Sequence, residues 1–177
     1  NQIGDAGVMA LAEAVGKGTL PQLKRLVLSG NSTISQQAKD ALKAADELLK
    51  VHVSYGPVVQ KLLKKFNNGS RRSWGVKGLA HITGGGFVDN IPRVLPEGCN
   101  AVIMRGTWDV LPIYEVLQAK GKVSEAEMHQ VFNMGIGMTA IVDSESAKGV
   151  LRTIRANKLK AWEIGFIDSG NRQVDLA

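Results

Sequence analysis

Val76-Lys77-Gly78-Leu79-Ala80-His81-Ile82-Thr83-Gly84-Gly85-Gly86 decides the fold of this chain, and Phe87-Val88-Asp89-Asn90-Ile91-Pro92-Arg93-Val94-Leu95-Pro96 continues it. Val76 to Ile82 reads as a buried strand. Phe87 to Leu95 reads as a helix closed by Pro96, kept short or bent by Pro92. A strand, a run of glycines and a helix make a geometry suited to anions. Glycine lets backbone N–H groups approach a phosphate, and a helix N-terminus adds partial positive charge. On spacing alone, Gly84, Gly85 and Gly86 read equally as a sharp turn.

Around this stretch several side chains are candidates, each with a plain alternative. His81 closes the strand, as a ligand or acid–base group in a cleft or as a hydrogen-bonded prop for the loop. Thr83 offers a hydroxyl to a phosphate, or caps the helix. Asn90 and Arg93 lie three apart and so are expected on one side of the helix. Arg93 would then be a bidentate anion contact or a member of a structural ion pair. Asn133, Gly135 and Gly137 line the same cleft, or form a tight turn before a strand expected over 136–142. His52 and His129 have no partner pattern, and the three histidines lack metal-ligand spacing.

Upstream, Gln36 to Lys50 is apolar at helical spacing, as are Val58, Val59, Leu62, Leu63 and Phe66. Pro57 fits the first turn of that second helix. Asn67 to Ser73 is the clearest loop. In the first forty-five residues, Leu23-x-x-Leu26-x-Leu28-x-x-Asn31 has the short-strand spacing of a repeat, and Asn1-Gln2-Ile3-Gly4-Asp5-Ala6-Gly7 is a matching turn. Val8, Leu11, Ala12 and Val15 between them share a helical face. Residues 1–45 resemble a ribonuclease-inhibitor-type leucine-rich repeat, an α/β fragment. Such repeats bind proteins, but about three are needed to bury a core.

The chain has 177 residues, room for one ordinary domain or two small ones. Its single cysteine, Cys99, excludes an internal disulfide and a cysteine-based zinc site. No run of about 18 apolar residues or signal peptide is visible, so a cytoplasmic location without membrane contact is the expectation, with an organelle as the alternative. The chain opens on Asn1 in mid-pattern and reads as a fragment of a longer product. The net charge of +6 is concentrated at Lys61, Lys64, Lys65, Arg71, Arg72 and Lys77. That favours anionic ligands weakly. Without interleaved aromatics it argues against nucleic acid.

The stretch 76–96 is similar, nearly residue for residue, to a signature of the aminoimidazole ribonucleotide synthetase family, also called phosphoribosylformylglycinamidine cyclo-ligase. The likeness continues at Trp108 and the helix to Gly121, at Glu127-Met128, at Phe132-Asn133-Met134-Gly135-Ile136-Gly137-Met138, and at Ala161-Trp162-Glu163-Ile164-Gly165, which matches the family's final strand. It covers 46–177 and implies the family's C-terminal domain, an α+β fold of three αβ layers.

That family closes the imidazole ring of a purine precursor. ATP phosphorylates the formyl oxygen of formylglycinamidine ribonucleotide, a substrate nitrogen attacks the same carbon, and phosphate leaves. The resemblance therefore implies ATP and Mg2+, with their main contacts on an N-terminal domain that also forms the dimer. It implies a phosphorylated small-molecule substrate, and an ATP-binding domain upstream or supplied by a partner. His81 would be catalytic, and Thr83, Gly84, Gly85, Gly86, Asn90, Arg93, Asn133, Gly135 and Gly137 would bind substrate or phosphate.

This chain departs from the pattern. The family's Gly-Pro-His-Ser-Asn-Gly stretch is missing. Its Pro-Thr-Arg-Ile-Tyr segment appears as Val51-His52-Val53-Ser54-Tyr55, with valine in place of the cationic arginine. The expectation is a cyclo-ligase half that is inactive without an ATP-binding domain. The alternative is a non-catalytic chimeric or remnant protein with a leucine-rich-repeat binding role.

Overall fold

The computed structural model describes residues 52–70 and 73–177, with Met9, Ala10, Glu13, Ser35, Lys39 and Lys50 as isolated positions. The leucine pattern of residues 1–45, the helix expected over 36–50, and Arg71 and Arg72 therefore lie outside the described residues. The chain divides into two compact units. Residues 1–52 and 111–124 form the first, and 53–110 and 125–177 the second. The described part of the first unit is essentially one helix, α3 (Pro112–Gly121), with proline in its first turn and Lys122 in the left-handed conformation at its end.

In the second unit, α1 (Gly56–Phe66) starts as expected, with Pro57 in the first turn. Val58 and Leu62, four apart, turn inward. Lys64 and Lys65 sit in the last turn, favourable to the helix dipole. Part of the basic face is committed to protein contacts. Lys65 Nζ donates to Thr153 Oγ1 at 3.1 Å, and Lys61 donates to the Asn157 side chain. Asn67 then closes the loop. Its amide donates to the Val76 carbonyl, and its carbonyl accepts from the Val76 N–H, both at 2.9 Å.

β1 (Val76–His81) pairs antiparallel with β3 (Met138–Val142), His81 opposite Met138 and Val76 opposite Val142. The register slips between Val76 and Gly78, a bulge centred on Lys77. Leu62 of α1, Val76 of β1 and Val150 of α5 (Ser144–Ala156) form one core, joined by Phe66, Leu79, Val142 and Ile154. Gly149 of α5 lets the Phe66 ring approach the helix closely.

The stretch after the glycines is not one helix. α2 (Gly86–Asn90) has one turn and passes at Ile91 into a 3-10 turn, Ile91–Val94. Pro92 supplies no N–H to continue the α-helical ladder, which accounts for the break. α2 packs on α4 (Glu125–Val131). Phe87 and Met128 are completely buried there. Phe87 meets Trp108 edge-on at 5.6 Å, and the Trp108 indole N–H donates to the Met134 carbonyl at 3.0 Å. Trp108 is thus anchored in the core of this unit by both its ring and its one polar atom.

A second sheet has the order β4-β2-β5. β2 (Cys99–Ile103) runs antiparallel to β4 (Gly165–Ser169) and parallel to β5 (Val174–Leu176). Two expected boundaries move. The last strands begin at Gly165, so Ala161 to Ile164 is irregular, and β3 begins at Met138, not at residue 136. Gly165 explains the first, since a Cβ there would run into the Val102 carbonyl, and a larger residue could not start the pairing. Asn133 Oδ1 accepts from the Gly135 N–H and makes 133–136 a turn, which accounts for the second.

Candidate functional site

The end of β1 and the start of β3 come together because the two strands are antiparallel. Ile82 N–H donates to the Gly137 carbonyl at 2.9 Å, extending the ladder one step past His81. Gly137, reached by the turn through Asn133, Met134 and Gly135, is thereby fixed beside the glycine run. Tyr55, just before α1, meets the His81 ring edge-on at 6.1 Å. Its hydroxyl lies against Gly137, where any Cβ would collide with it. Burial raises the Tyr55 phenol above its ordinary pKa and keeps it neutral at working pH. His81 is exposed at this place.

The glycine turn itself is held from below. Gly85 has φ +92° and Gly86 φ +55°, left-handed values suited to glycine. A Cβ on Gly86 would strike the His129 carbonyl oxygen, so the turn closes directly on α4. His129, expected on the surface or in the core, is buried, its Nδ1 2.9 Å from the Glu125 carbonyl. Asn90 is only 4% exposed. Its Nδ2 donates to the carbonyls of Gly86 at 2.8 Å, Gly84 at 3.2 Å and Thr83 at 3.4 Å. Thr83 Oγ1 donates in turn to Asn90 Oδ1 at 3.3 Å, and no side chain caps α2. Thr83 is thus the outer arm of a clamp. With these carbonyls drawn inward, the exposed Gly84 presents its backbone to solvent. The Asp89 carboxylate leans against Gly85, a negative charge beside the turn.

The structure therefore brings together His81, Thr83, Gly84, Gly85, Gly86, Asn90 and the Asn133–Gly137 turn. Arg93 is the exception. Asn90 points inward under the glycines while Arg93 is exposed in a groove with Lys77 and Gly78, near the other end of β1. Asn90 closes α2, and Arg93 stands on the 3-10 turn that follows it. Tyr55 is the participant that side-chain chemistry alone did not single out. The signal was its survival as the one match in an otherwise altered segment. Among the described residues no group of three His, Cys, Asp or Glu could hold a metal ion. Among the described residues no helix is long and apolar enough to cross a membrane.

Known proteins match this arrangement. The family model described as AIR synthase related protein, C-terminal domain, matches residues 17–175. Its range begins ahead of Leu23, so it runs across the leucines on which the repeat reading rests. The phosphoribosylformylglycinamidine cyclo-ligase of Caldicellulosiruptor bescii is 44% identical over 135 residues, 76% of this chain and 37% of the relative. That of Bacillus cytotoxicus is 45% identical over 130 residues, 73% and 35%. A protein of Vigna unguiculata, named phosphoribosylformylglycinamidine cyclo-ligase, chloroplastic/mitochondrial, is 42% identical over 146 residues, 82% and 35%. The chain spans little more than a third of the length of these curated relatives. With residues 17–175 matched in one continuous range, the chain belongs to the AIR synthase related protein family, as its C-terminal domain.

Proposed function

We propose that this chain is the C-terminal half of an ATP-dependent cyclo-ligase that converts formylglycinamidine ribonucleotide to aminoimidazole ribonucleotide, and that it does not turn over without an ATP-binding half. The observation that carries the proposal is the family match over 17–175. The three-layer packing and the division at residue 46 belong to this reading. ATP and magnesium enter with it from the relatives' activity, and no step is assigned to the metal.

In this reading the exposed backbone of Gly84 donates to a phosphate oxygen, and preorganised donors stabilise developing charge without reorganising. His81, exposed at the end of β1 with Tyr55 edge-on to its ring, is the proton-transfer group of this reading. Asn133, Gly135 and Gly137 are its substrate contacts beside the glycine run. Calorimetry with formylglycinamidine ribonucleotide tests the placement. Saturable binding by the chain, lost in His81→Ala with the fold intact, is expected. Undiminished binding by that variant would remove His81 from the site.

The leucine spacing at 23–31 supports a second, protein-binding role for residues 1–45. A truncated 46–177 chain separates the alternatives. An unchanged melting transition fits an independent repeat segment, and loss of the transition fits a segment belonging to the matched domain.

A further inference from the structure

Among the described residues β4 is an open edge, since its sheet has the order β4-β2-β5 and no strand lies beyond it. We propose that this edge binds the same edge of a second copy of the chain, antiparallel and about a two-fold axis at Phe166. The surface is distinct from the dimer contact that the resemblance places on an N-terminal domain, and the proposal does not rest on the cyclo-ligase reading.

The polar groups of the β4 backbone alternate in direction. Met104 N–H donates to the Ile164 carbonyl and Gly170 N–H to the Gly98 carbonyl, and these two bonds set the phase of the ladder. In an antiparallel pair every second residue bonds the partner strand, which turns the backbone groups of Phe166 and Asp168 toward β2. Those of Gly165, Ile167 and Ser169 therefore point outward. Asp168 Oδ1 already accepts from the Ser169 N–H at 2.7 Å, so the open row of donors ends at Ile167. The usual guards of an edge are few. β4 holds no proline, Asp168 is its one charge, and its register with β2 runs from Gly165 to Ser169 without a shift. Its large side chains are apolar and wet: Phe166 is 53% exposed and Ile167 40%, on opposite faces of the strand.

One self-pairing register satisfies all of these groups. With Phe166 opposite the second copy's Phe166, each Gly165 faces an Ile167, and each such pair exchanges both of its backbone hydrogen bonds. The two phenyl rings meet in a non-hydrogen-bonded pair, the kind in which side chains lie closer, and an aromatic pair there is stabilising. Ile167 covers the bare backbone of the other copy's Gly165. The two Asp168 carboxylates stand apart, each opposite an Ile164. Moving the axis to Asp168 would set those carboxylates face to face, and moving it to Ile167 would need the Ser169 N–H that Asp168 occupies. An isologous two-fold contact requires self-complementarity of this kind, whereas a strand of unrelated sequence does not.

Sedimentation equilibrium of the full 177-residue chain tests the contact. The expected result is a reversible monomer–dimer equilibrium in the micromolar range. Phe166→Lys and Phe166→Glu each set like charges opposite one another, and each should weaken the dimer at least about tenfold with an unchanged circular dichroism spectrum. An equimolar mixture of the two variants should dimerise again, to within about threefold of the parent. A parent that stays monomeric, whether or not a separately produced N-terminal half binds this edge, would overturn the proposal. So would a dimer that neither charge weakens, or a mixture that stays monomeric. If either charged variant loses its fold, Phe166→Cys decides. Under mild oxidation it should cross-link to itself faster than the parent, whose one cysteine is Cys99, and cross-linking no faster than the parent would overturn the axis at Phe166.

Discussion

Asn90 commits its whole side chain to the glycine turn, and this separates structure from chemistry at the residue scale. One amide serves three carbonyls and accepts from Thr83. Asn90→Ala leaves those carbonyls without donors in a buried place, and is expected to cost about 2 kcal/mol or more in denaturant unfolding. The glycines divide in the same way. Gly86→Ala meets the His129 carbonyl at a φ of +55°, and is expected to destabilise by about 3 kcal/mol or to prevent folding. A Cβ on Gly84 would meet nothing within 4 Å, so Gly84→Ala should stay within about 1 kcal/mol of the parent. If a phosphate approaches the Gly84 backbone closely, the added Cβ of that same variant should hinder it and weaken phosphate binding, although the N–H remains. A Gly84→Ala variant that is stable and binds phosphate normally would move the anion elsewhere. The sequence carried the residue types of this site but not their division of labour. Asn90 as ligand and Asn90 as clamp have the same spacing, and only burial beneath the turn decides between them.

At the scale of elements, local chemistry was legible where a proline marked a boundary, as Pro57 does at the start of α1. The cap of α5 was not singled out in the sequence: Asp143 Oδ1 accepts from the Ser146 N–H at 2.8 Å. Hydrogen bonds from Ser146 hold the Asp143 carboxyl below its ordinary pKa, with the Lys77 charge adding to them against a smaller desolvation effect. A depressed folded pKa means that the stabilisation is complete above the unfolded value and fades as pH falls through the folded one. Asp143→Ala should therefore melt earlier than the parent at neutral pH, and the difference should shrink below about pH 4. Thermal melts from neutral pH into acid read this directly, and a gap that stays constant into acid would contradict the carboxylate cap. Two elements differ from what their sequence suggests. The run from Phe87 to Leu95 breaks at Pro92 as expected, but its second half is a 3-10 turn, and Arg93 on it stands apart from the buried Asn90. Ala161 to Ile164 is apolar enough for a strand, yet pairing with β2 begins only at Gly165, where the partner's carbonyl leaves no room for a side chain. Periodicity reports which residues can be buried, and partner geometry decides which of them pair.

For the whole molecule, the lineage was legible because the segments that carry it are long and closely spaced in the fold. Residues 76–96 and 132–138 form one place through antiparallel pairing of β1 and β3. Tyr55, retained in an altered segment, packs into that same place. Lys77 and Arg93 were not legible as neighbours, since the whole glycine turn and a change of helix type separate them, and only the packing of the 3-10 turn on β1 joins them. The family match covers most of the chain, while the chain covers little more than a third of each relative. On the proposed function, the ATP chemistry therefore belongs to another polypeptide segment. The most direct measurement is ADP release by the purified 177-residue chain supplied with ATP, magnesium and formylglycinamidine ribonucleotide, alone and with a separately produced N-terminal half of a cyclo-ligase relative. No release above background is predicted from the chain alone, and a substrate-dependent gain with the added half. Sustained, substrate-dependent release by the chain alone would contradict the proposed dependence on a second half.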